Sequence, residues 1–301
     1  MMESPLHPIP RPRDVLLEQI RAVGLALRLP AITATVLVGL ATLHVTTLVL
    51  VSGGAFDFRP EASMLPGVAG LLLPIGVWKG EERFGPGFLW TLPVDRRQHA
   101  LAKVCAGWVW LMGAVALLVL WMLVISFLTG GNFLAEETLH LLSSREVPTQ
   151  GTLDPRALET VRWTPRPVLW LVPFTAATAT YVLASALALG LRHPLRWIIG
   201  TVLGALLMGA FTEAANVEWL ATVSQPLLEP LYLGPYGFDA LLTARTETLR
   251  TETTLSTGET VPIWLGLPDL GQWAVATLLW TGAGLVALWA AASRHRESRR
   301  A

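Results

Sequence analysis

From Val104 to Leu128 the chain reads VCAGWVWLMGAVALLVLWMLVISFL, 25 residues without one charged side chain. About 20 apolar residues in a helix cross the ~30 Å hydrocarbon core of a bilayer, where each backbone N–H and C=O must be bonded within the protein. A run of this kind predicts a transmembrane helix. Five more are predicted, at about 31–51, 62–78, 167–191, 195–211 and 272–292. Charged residues make up 15% of the chain and mean hydropathy is +0.52, against roughly 25% charged in an ordinary soluble domain. The expected fold is an all-α integral membrane protein of six transmembrane helices, a single domain over 1–301. The formal net charge is +0, which points to no nucleic-acid partner. The single Cys105 excludes an intramolecular disulfide and a thiolate metal cluster.

The flanks of these spans carry their own signals. Pro5, Pro8, Pro10 and Pro12 make the N-terminus irregular. Val15, Leu16, Ile20, Val23 and Leu27 then recur at helical spacing behind Asp14. That pattern fits an N-terminal interfacial helix within the cytoplasmic segment 1–30, or an extension of the first span. With the first apolar run starting near Ala31, no cleavable signal peptide is expected. Pro66 and Pro74 should kink the second span. Two long loops, 129–165 and 212–271, are placed on the extracytoplasmic side. In the first, Asn132 to Leu142 is expected as a short surface helix. In the second, Val217–Val223 and Pro226–Leu233 are too short to cross and read as re-entrant or interfacial pieces. Leu249–Trp264, rich in Thr and Val about Ser256-Thr257-Gly258, signals a small β-hairpin. Thirteen Trp suit membrane–water interfaces, where this side chain is enriched.

Charge placement orients the chain. An even span count puts both termini on one side, and 15 Lys and Arg fall on that side against 7 on the other. Acidic residues divide the opposite way, 7 against 15. By the positive-inside rule both termini, the tail 293–301 included, are cytoplasmic, and the expected location is the plasma membrane.

One polar stretch is too rich for a plain connection. Residues 79–103, KGEERFGPGFLWTLPVDRRQHALAK, stand on the cytoplasmic side between the second and third spans. Pro93 fixes a backbone angle, Trp90 and Leu92 are apolar anchors, and Arg96 and Arg97 suit acidic groups or anionic headgroups. The order of parts resembles the type-2 ABC transporter permeases: an amphipathic helix before span one, Glu81-Glu82-Arg83 leaving span two, and Leu92-Pro93-Val94-Asp95-Arg96-Arg97 just ahead of Leu101-Ala102-Lys103. In topology the likeness covers most of the chain, in motif only residues 79–103. It implies that 79–103 is a coupling helix docking in a groove of a separate cytoplasmic ABC ATPase, with Glu81, Glu82, Arg83, Trp90, Leu92, Pro93, Asp95, Arg96 and Arg97 as the coupling residues. It also implies a second permease, a copy or a relative, with ATP and Mg carried by the ATPase. This chain has no G-x-x-x-x-G-K-[ST] phosphate loop of its own.

Other chemistry is thinner. His44 within span one, and Glu213 and Asn216 after span five, are candidates for a substrate pathway; an interhelical hydrogen bond and a solvated helix end are the plain alternatives. The six His are dispersed with no pair at metal-ligand spacing, so no metal site is expected. An intramembrane protease would need H-E-x-x-H or G-x-S-x-G, and neither is present; Glu81-Glu82 lacks the Arg that prenyl-protease-like enzymes carry four residues on, since position 86 is Pro. No catalytic residue is expected. No predicted span holds an Asp or Glu well inside it, which argues against a proton- or sodium-coupled carrier. A non-transporting membrane scaffold or accessory subunit shares the topology and is the alternative reading. Membrane lipids are partners on either reading.

Overall fold

The computed structural model describes residues 12–56, 58–59, 64–78, 96–131, 136–142, 158–191, 196–197, 200, 231, 234–244, 251–255, 260–264 and 267–297. Among them the fold is mostly helical. Four helices are long and apolar enough to cross a membrane: Arg13–Ser52, Arg97–Leu128, Pro167–Gly190 and Leu270–Ser293.

Helix α1, Pro12–Ser52, is a single element of 41 residues. The separate interfacial helix expected before the first span is absent; Val15–Arg28 continues straight into it. The buried stripe explains this, because Val23 and Leu27 pack into the helical core rather than lying free for a membrane surface. Threonine hydroxyls within α1 bond back to their own helix, Thr35 to the Ala31 carbonyl at 2.8 Å and Thr42 to that of Val38 at 2.8 Å. That satisfies a polar group where lipid offers no partner. The helix ends at Gly53, whose φ of 66° lets Gly54 N–H reach back to the Val49 carbonyl at 3.0 Å. Helix α3, Arg96–Leu128, ends in the same way, with Gly130 at φ 73° and Gly131 N–H on the Ser126 carbonyl at 2.7 Å. Phe56 N–H donates to the Thr129 hydroxyl at 3.1 Å, so these two ends meet.

Helix α2, Leu65–Val77, has 13 residues, about 20 Å at ~1.5 Å per residue, short of a full crossing. The predicted second span is thus realised only in part among the described residues. The predicted fifth span, 195–211, lies outside them except at 196, 197 and 200. After a 3-10 turn, Pro167–Leu171, comes α4, Val172–Gly190. It is the hub: 67% of its apolar window is buried, against 6% for α1. Among the described residues a short helix α5, Phe238–Thr243, and a long helix α6, Leu270–Glu297, follow. Asp269 caps α6, its Oδ1 accepting from Gly271 N–H at 2.9 Å and Gln272 N–H at 3.1 Å.

Contacts give the directions. Val172 clusters with Trp273, Ala179 with Ala276, and Gly190 meets Ala291, so α4 and α6 run parallel. Gly70 of α2 lies against Ala177 and Thr180, and Val77 lies beside Gly107 near the Tyr181 hydroxyl; α2 runs the same way as α4. Helix α3 runs opposite to α4: Val104 meets Tyr181, while Trp108 reaches back to Thr178. It is flanked by α1 running with it, through Trp110 to Ile20 and Trp121 to Thr42.

At the end where α1 and α3 finish and α4 and α6 begin sits a sheet, so the fold is not purely α-helical. Its strands are β1, Glu137–Leu142, β2, Leu158–Trp163, β3, Thr251–Thr254, and β4, Thr260–Trp264, in the order β2-β1-β4-β3. The expected hairpin is β3–β4, antiparallel with Thr254 opposite Thr260. The short helix expected over Asn132–Leu142 is instead strand β1 where described. It pairs antiparallel with β2, His140 opposite Thr160, and parallel with β4, His140 opposite Ile263. A lone hairpin is marginally stable. Joining the two loops buries Leu142, Leu255 and Ile263 together with Leu158 against them. Trp163 packs on Leu169, Val172, Ala244 and Trp273, seating the sheet on the helices.

The closest helix approaches set a stability test. A Cβ at Gly70 would collide with the Thr180 hydroxyl and the Ala177 carbonyl, whereas nothing lies within 4 Å of one at Gly113. Gly70→Val should cost at least about 1–3 kcal/mol of overpacking and lower the unfolding temperature of the detergent-solubilised chain. Gly113→Ala should leave that temperature unchanged or raise it, by no more than about 1 kcal/mol equivalent.

Candidate functional site

Two features stand out: a set of cations on indole faces at the end opposite the sheet, and a turn at mid-depth in the bundle.

The first is where the polar stretch 79–103 meets the helices. Trp78 closes α2, its N–H on the Pro74 carbonyl at 3.0 Å, and its side chain is 5% exposed. Lys103, about two turns into α3, is only 7% exposed, and its Nζ stands 4.9 Å from the centre of the Trp78 ring. The aliphatic stem suits the apolar surroundings while the ammonium meets the negative face of the indole. Arg97, at the start of α3, places its guanidinium 5.7 Å from the ring of Trp289 near the end of α6. The start of α3 is therefore tied to the ends of both α2 and α6. One level further in, the buried Tyr181 hydroxyl donates to the Val104 carbonyl at 2.8 Å, which adds α4.

Of the predicted coupling residues, Arg96 opens α3 and Arg97 lies as stated; Glu81, Glu82, Arg83, Trp90, Leu92, Pro93 and Asp95 lie outside the described residues. So do Glu213 and Asn216. His44 is on the exposed side of α1. The interhelical bond offered as the alternative for His44 is not made by it among the described residues; two residues earlier, Thr42 accepts from Trp121 Nε1 at 3.2 Å. The structure thus brings Arg97 and Lys103 together with Trp78 and Trp289, and leaves His44 apart from them.

The second feature escaped the sequence reading. Gly234-Pro235-Tyr236-Gly237 forms a turn, with Gly237 N–H on the Gly234 carbonyl at 2.9 Å, and leads into α5. Trp280 Nε1 donates to the Tyr236 carbonyl at 2.9 Å, and the rings of Phe238 and Trp280 are 4.3 Å apart. Ala240 and Leu241 are fully buried in one cluster with Ala179 and Ala276. Trp280 lies near the middle of the 24-residue segment Leu270–Ser293, and Ala179 near the middle of the 24-residue segment Pro167–Gly190. The turn and the start of α5 are therefore at mid-depth. From there the chain climbs to Ala244, whose carbonyl accepts from Asp269 N–H at 3.1 Å at the head of α6. Irregular backbone at such depth is tolerated only where protein or a water-filled cavity surrounds it.

This excursion carries Asp239, half-buried, in the first turn of α5. The Thr243 hydroxyl lies 2.8 Å from its carbonyl and 3.1 Å from its carboxylate. A carboxylate thus reaches mid-depth although no predicted span contains one. The available signal was a Gly-Pro turn opening directly onto the apolar Phe238-Asp239-Ala240-Leu241-Leu242. Among the described residues no group of three or more His, Cys, Asp or Glu is placed to hold a metal ion.

The clamp between α2 and α3 is measurable. A double-mutant cycle of Trp78→Leu and Lys103→Met, read by denaturant unfolding in mixed micelles, should give a coupling of about 1 kcal/mol in favour of the native pair. A coupling indistinguishable from zero would show the two side chains to be neighbours only. No family model, curated protein or solved structure matches this chain, so its function has to be argued from its own residues.

Proposed function

We propose that this chain is the membrane-spanning permease subunit of an ATP-driven exporter of the type-2 ABC kind, coupled through residues 79–103 to a separate ATPase. The observation that carries the reading is the clamp at the end of the bundle opposite the sheet. A coupling element has to pass force into the helices, and here the sequence on either side of 79–95 is fixed to three of them: Trp78 of α2 under Lys103 of α3, and Arg97 of α3 over Trp289 of α6. A passive topology signal needs positive charge there but no such ties.

The six-span count belongs to the same proposal. Parallel helices α4 and α6 are adjacent, so the chain between them has to return across the bundle, and 195–211 offers the apolar residues for the return. The excess of Lys and Arg puts the termini and 79–103 in the cytoplasm and the sheet outside. The exporter pairs this permease with a copy or a relative and leaves ATP and Mg on the ATPase. Closure of the ATPase pair pushes on 79–95, shifts α2 and α3, and opens a path past the mid-depth turn.

Two experiments test this. Mild-detergent affinity purification of the full chain from its native membrane should recover a stoichiometric ATPase. The Arg96→Glu/Arg97→Glu variant, checked for membrane insertion and unfolding temperature, should recover at least about tenfold less, the loss expected on reversing charge at a paired contact. Wild-type protein that purifies without an ATPase in every detergent would instead make the chain a scaffold. For orientation, on a Cys105→Ser background, a membrane-impermeant maleimide should label Thr160→Cys in intact cells and Ser293→Cys only after permeabilisation. Labelling of both in intact cells would overturn the six-span arrangement.

A further inference from the structure

We propose that the outward stripe of α1 centred on His44 is the surface on which a second copy of this chain docks, with the two copies of His44 hydrogen-bonded to each other. This names the partner surface of the permease and rests on that reading for its purpose; the contact itself is measurable without transport.

The stripe is defined by what α1 does not bury. The packed side of the helix runs through Val38, Thr42, Thr46 and Val49, all partly or wholly buried, with Thr42 tied to Trp121 of α3. At about 100° per residue the opposite side carries Thr33, Leu37, Leu40, His44, Thr47 and Val51, all exposed. Their spacing alternates four and three residues, the repeat by which two helices meet along a left-handed seam. Helices in membranes cross mostly with this hand.

Apolar exposure does not by itself ask for a protein partner, since lipid tails are as apolar as leucine. The imidazole does. Thr33 and Thr47 turn their hydroxyls back on the carbonyls of Leu29 and Leu43 and so need nothing from outside. His44 has no hydrogen-bond partner among the described residues. It stands about 13 Å before the end of the helix at Gly53, inside a hydrocarbon core of ~30 Å. A polar ring at that depth faces protein or a cavity and not lipid. The ring also selects the protein. A neutral imidazole has one N–H donor and one bare acceptor nitrogen, so it complements itself. In a two-fold pair, residues beside the axis meet their own copies, and in a membrane both copies sit at the same depth. A single polar residue on such a seam fixes register and the number of chains.

The test uses the full-length chain on a Cys105→Ser background, in membranes treated with copper phenanthroline. Leu40→Cys and Thr47→Cys, which leave His44 in place, should each give a disulfide-linked dimer. Leu278→Cys, on a face of α6 where the side chain is 75% exposed, should stay monomeric. Dimer dissociation of the purified chain is then followed by dilution in mixed micelles. His44→Leu should weaken association about threefold or more, the scale of one interhelical hydrogen bond in a membrane. His44→Asn, which also carries a donor and an acceptor, should keep most of it. Unfolding temperature confirms that the variants are folded. If lipid, the segment 195–211 or a related chain covers the stripe instead, Leu40→Cys and Thr47→Cys stay monomeric and the proposal falls. Equal dissociation of wild type and His44→Leu overturns it as well. If the dimer forms on this seam but no ATPase purifies with the chain, the docking surface stands and the exporter reading falls; the reverse result separates them the other way.

Discussion

Helices α2, α4 and α6 lie side by side because the residues between them are too small to hold them apart. Gly70 sets its backbone against Ala177 and Thr180, Gly284 against Val182 and Leu183, and α4 presents Ala176, Ala177, Ala179, Ala184, Ala186 and Ala188 as buried contacts. In lipid there is no hydrophobic gain in pressing one apolar helix on another; close van der Waals contact has to hold them. Glycine and alanine provide it, since a backbone can then touch a backbone. The arrangement is parallel, and that has a cost in connectivity. Neighbouring parallel helices cannot be joined by a short turn, so a long segment must lie between α4 and α6, and part of it, 234–244, is found folded back into the bundle.

Polar atoms at depth follow a second rule. Among the described residues, four indole N–H groups find an acceptor on another element: Trp121 on Thr42, Trp108 on Thr178, Trp110 on the Ile20 carbonyl, Trp280 on the Tyr236 carbonyl. An unbonded donor in an apolar medium costs several times what a bond contributes in water. These bonds therefore do more than tidy the interior; they select which helix faces meet. Threonines that lack such a neighbour turn back on their own helix, as Thr33 and Thr35 do. Tryptophan thus has two uses in one chain, as a tie within the bundle and, at Trp78 and Trp289, as a seat for a cation at its end.

How much of this was legible in the sequence depended on whether the signal was local. The long spans were, because an unbroken apolar run such as Val104–Leu128 has one explanation. The hairpin was, because Thr and Val flank a Ser-Thr-Gly turn. Strand β1 was not: Glu137-Thr138-Leu139-His140-Leu141-Leu142 has no decisive period, and what makes it a strand is β2 on one side and the remote β4 on the other. The join between α1 and its amphipathic start was left open because the pattern that would suit a membrane surface, Val23 and Leu27 on one side, equally suits packing on α2 and α3. Of the candidate site, Arg96 and Arg97 are legible from their charge and from the Leu92-Pro93-Val94-Asp95-Arg96-Arg97 pattern. The pairing of Trp78 and Trp289 with cations has no local signal, since it needs three helices brought together. Asp239 was not legible because a Gly-Pro turn ahead of a short apolar piece reads as an ordinary connection.

That last omission changes how the parts relate. Helix α2 is the shortest of the main helices, and it touches both features. At one end Trp78 is under Lys103, beside the polar stretch; toward the other, Gly67 is in contact with Leu242 of α5, and Gly70 with the backbone of α4. This helix of 13 residues, with Pro74 inside it, is about 20 Å long and has its backbone wedged against its neighbours. It has little room to bend and no long side chains at Gly67 and Gly70 to absorb a displacement. On the proposed function, a shift imposed at Trp78 has a contact path through α2 to Leu242 of α5, and so to the turn 234–237. In the permease proposed above that is the connection required: a lever whose far tip bears on a turn in the middle of the bundle.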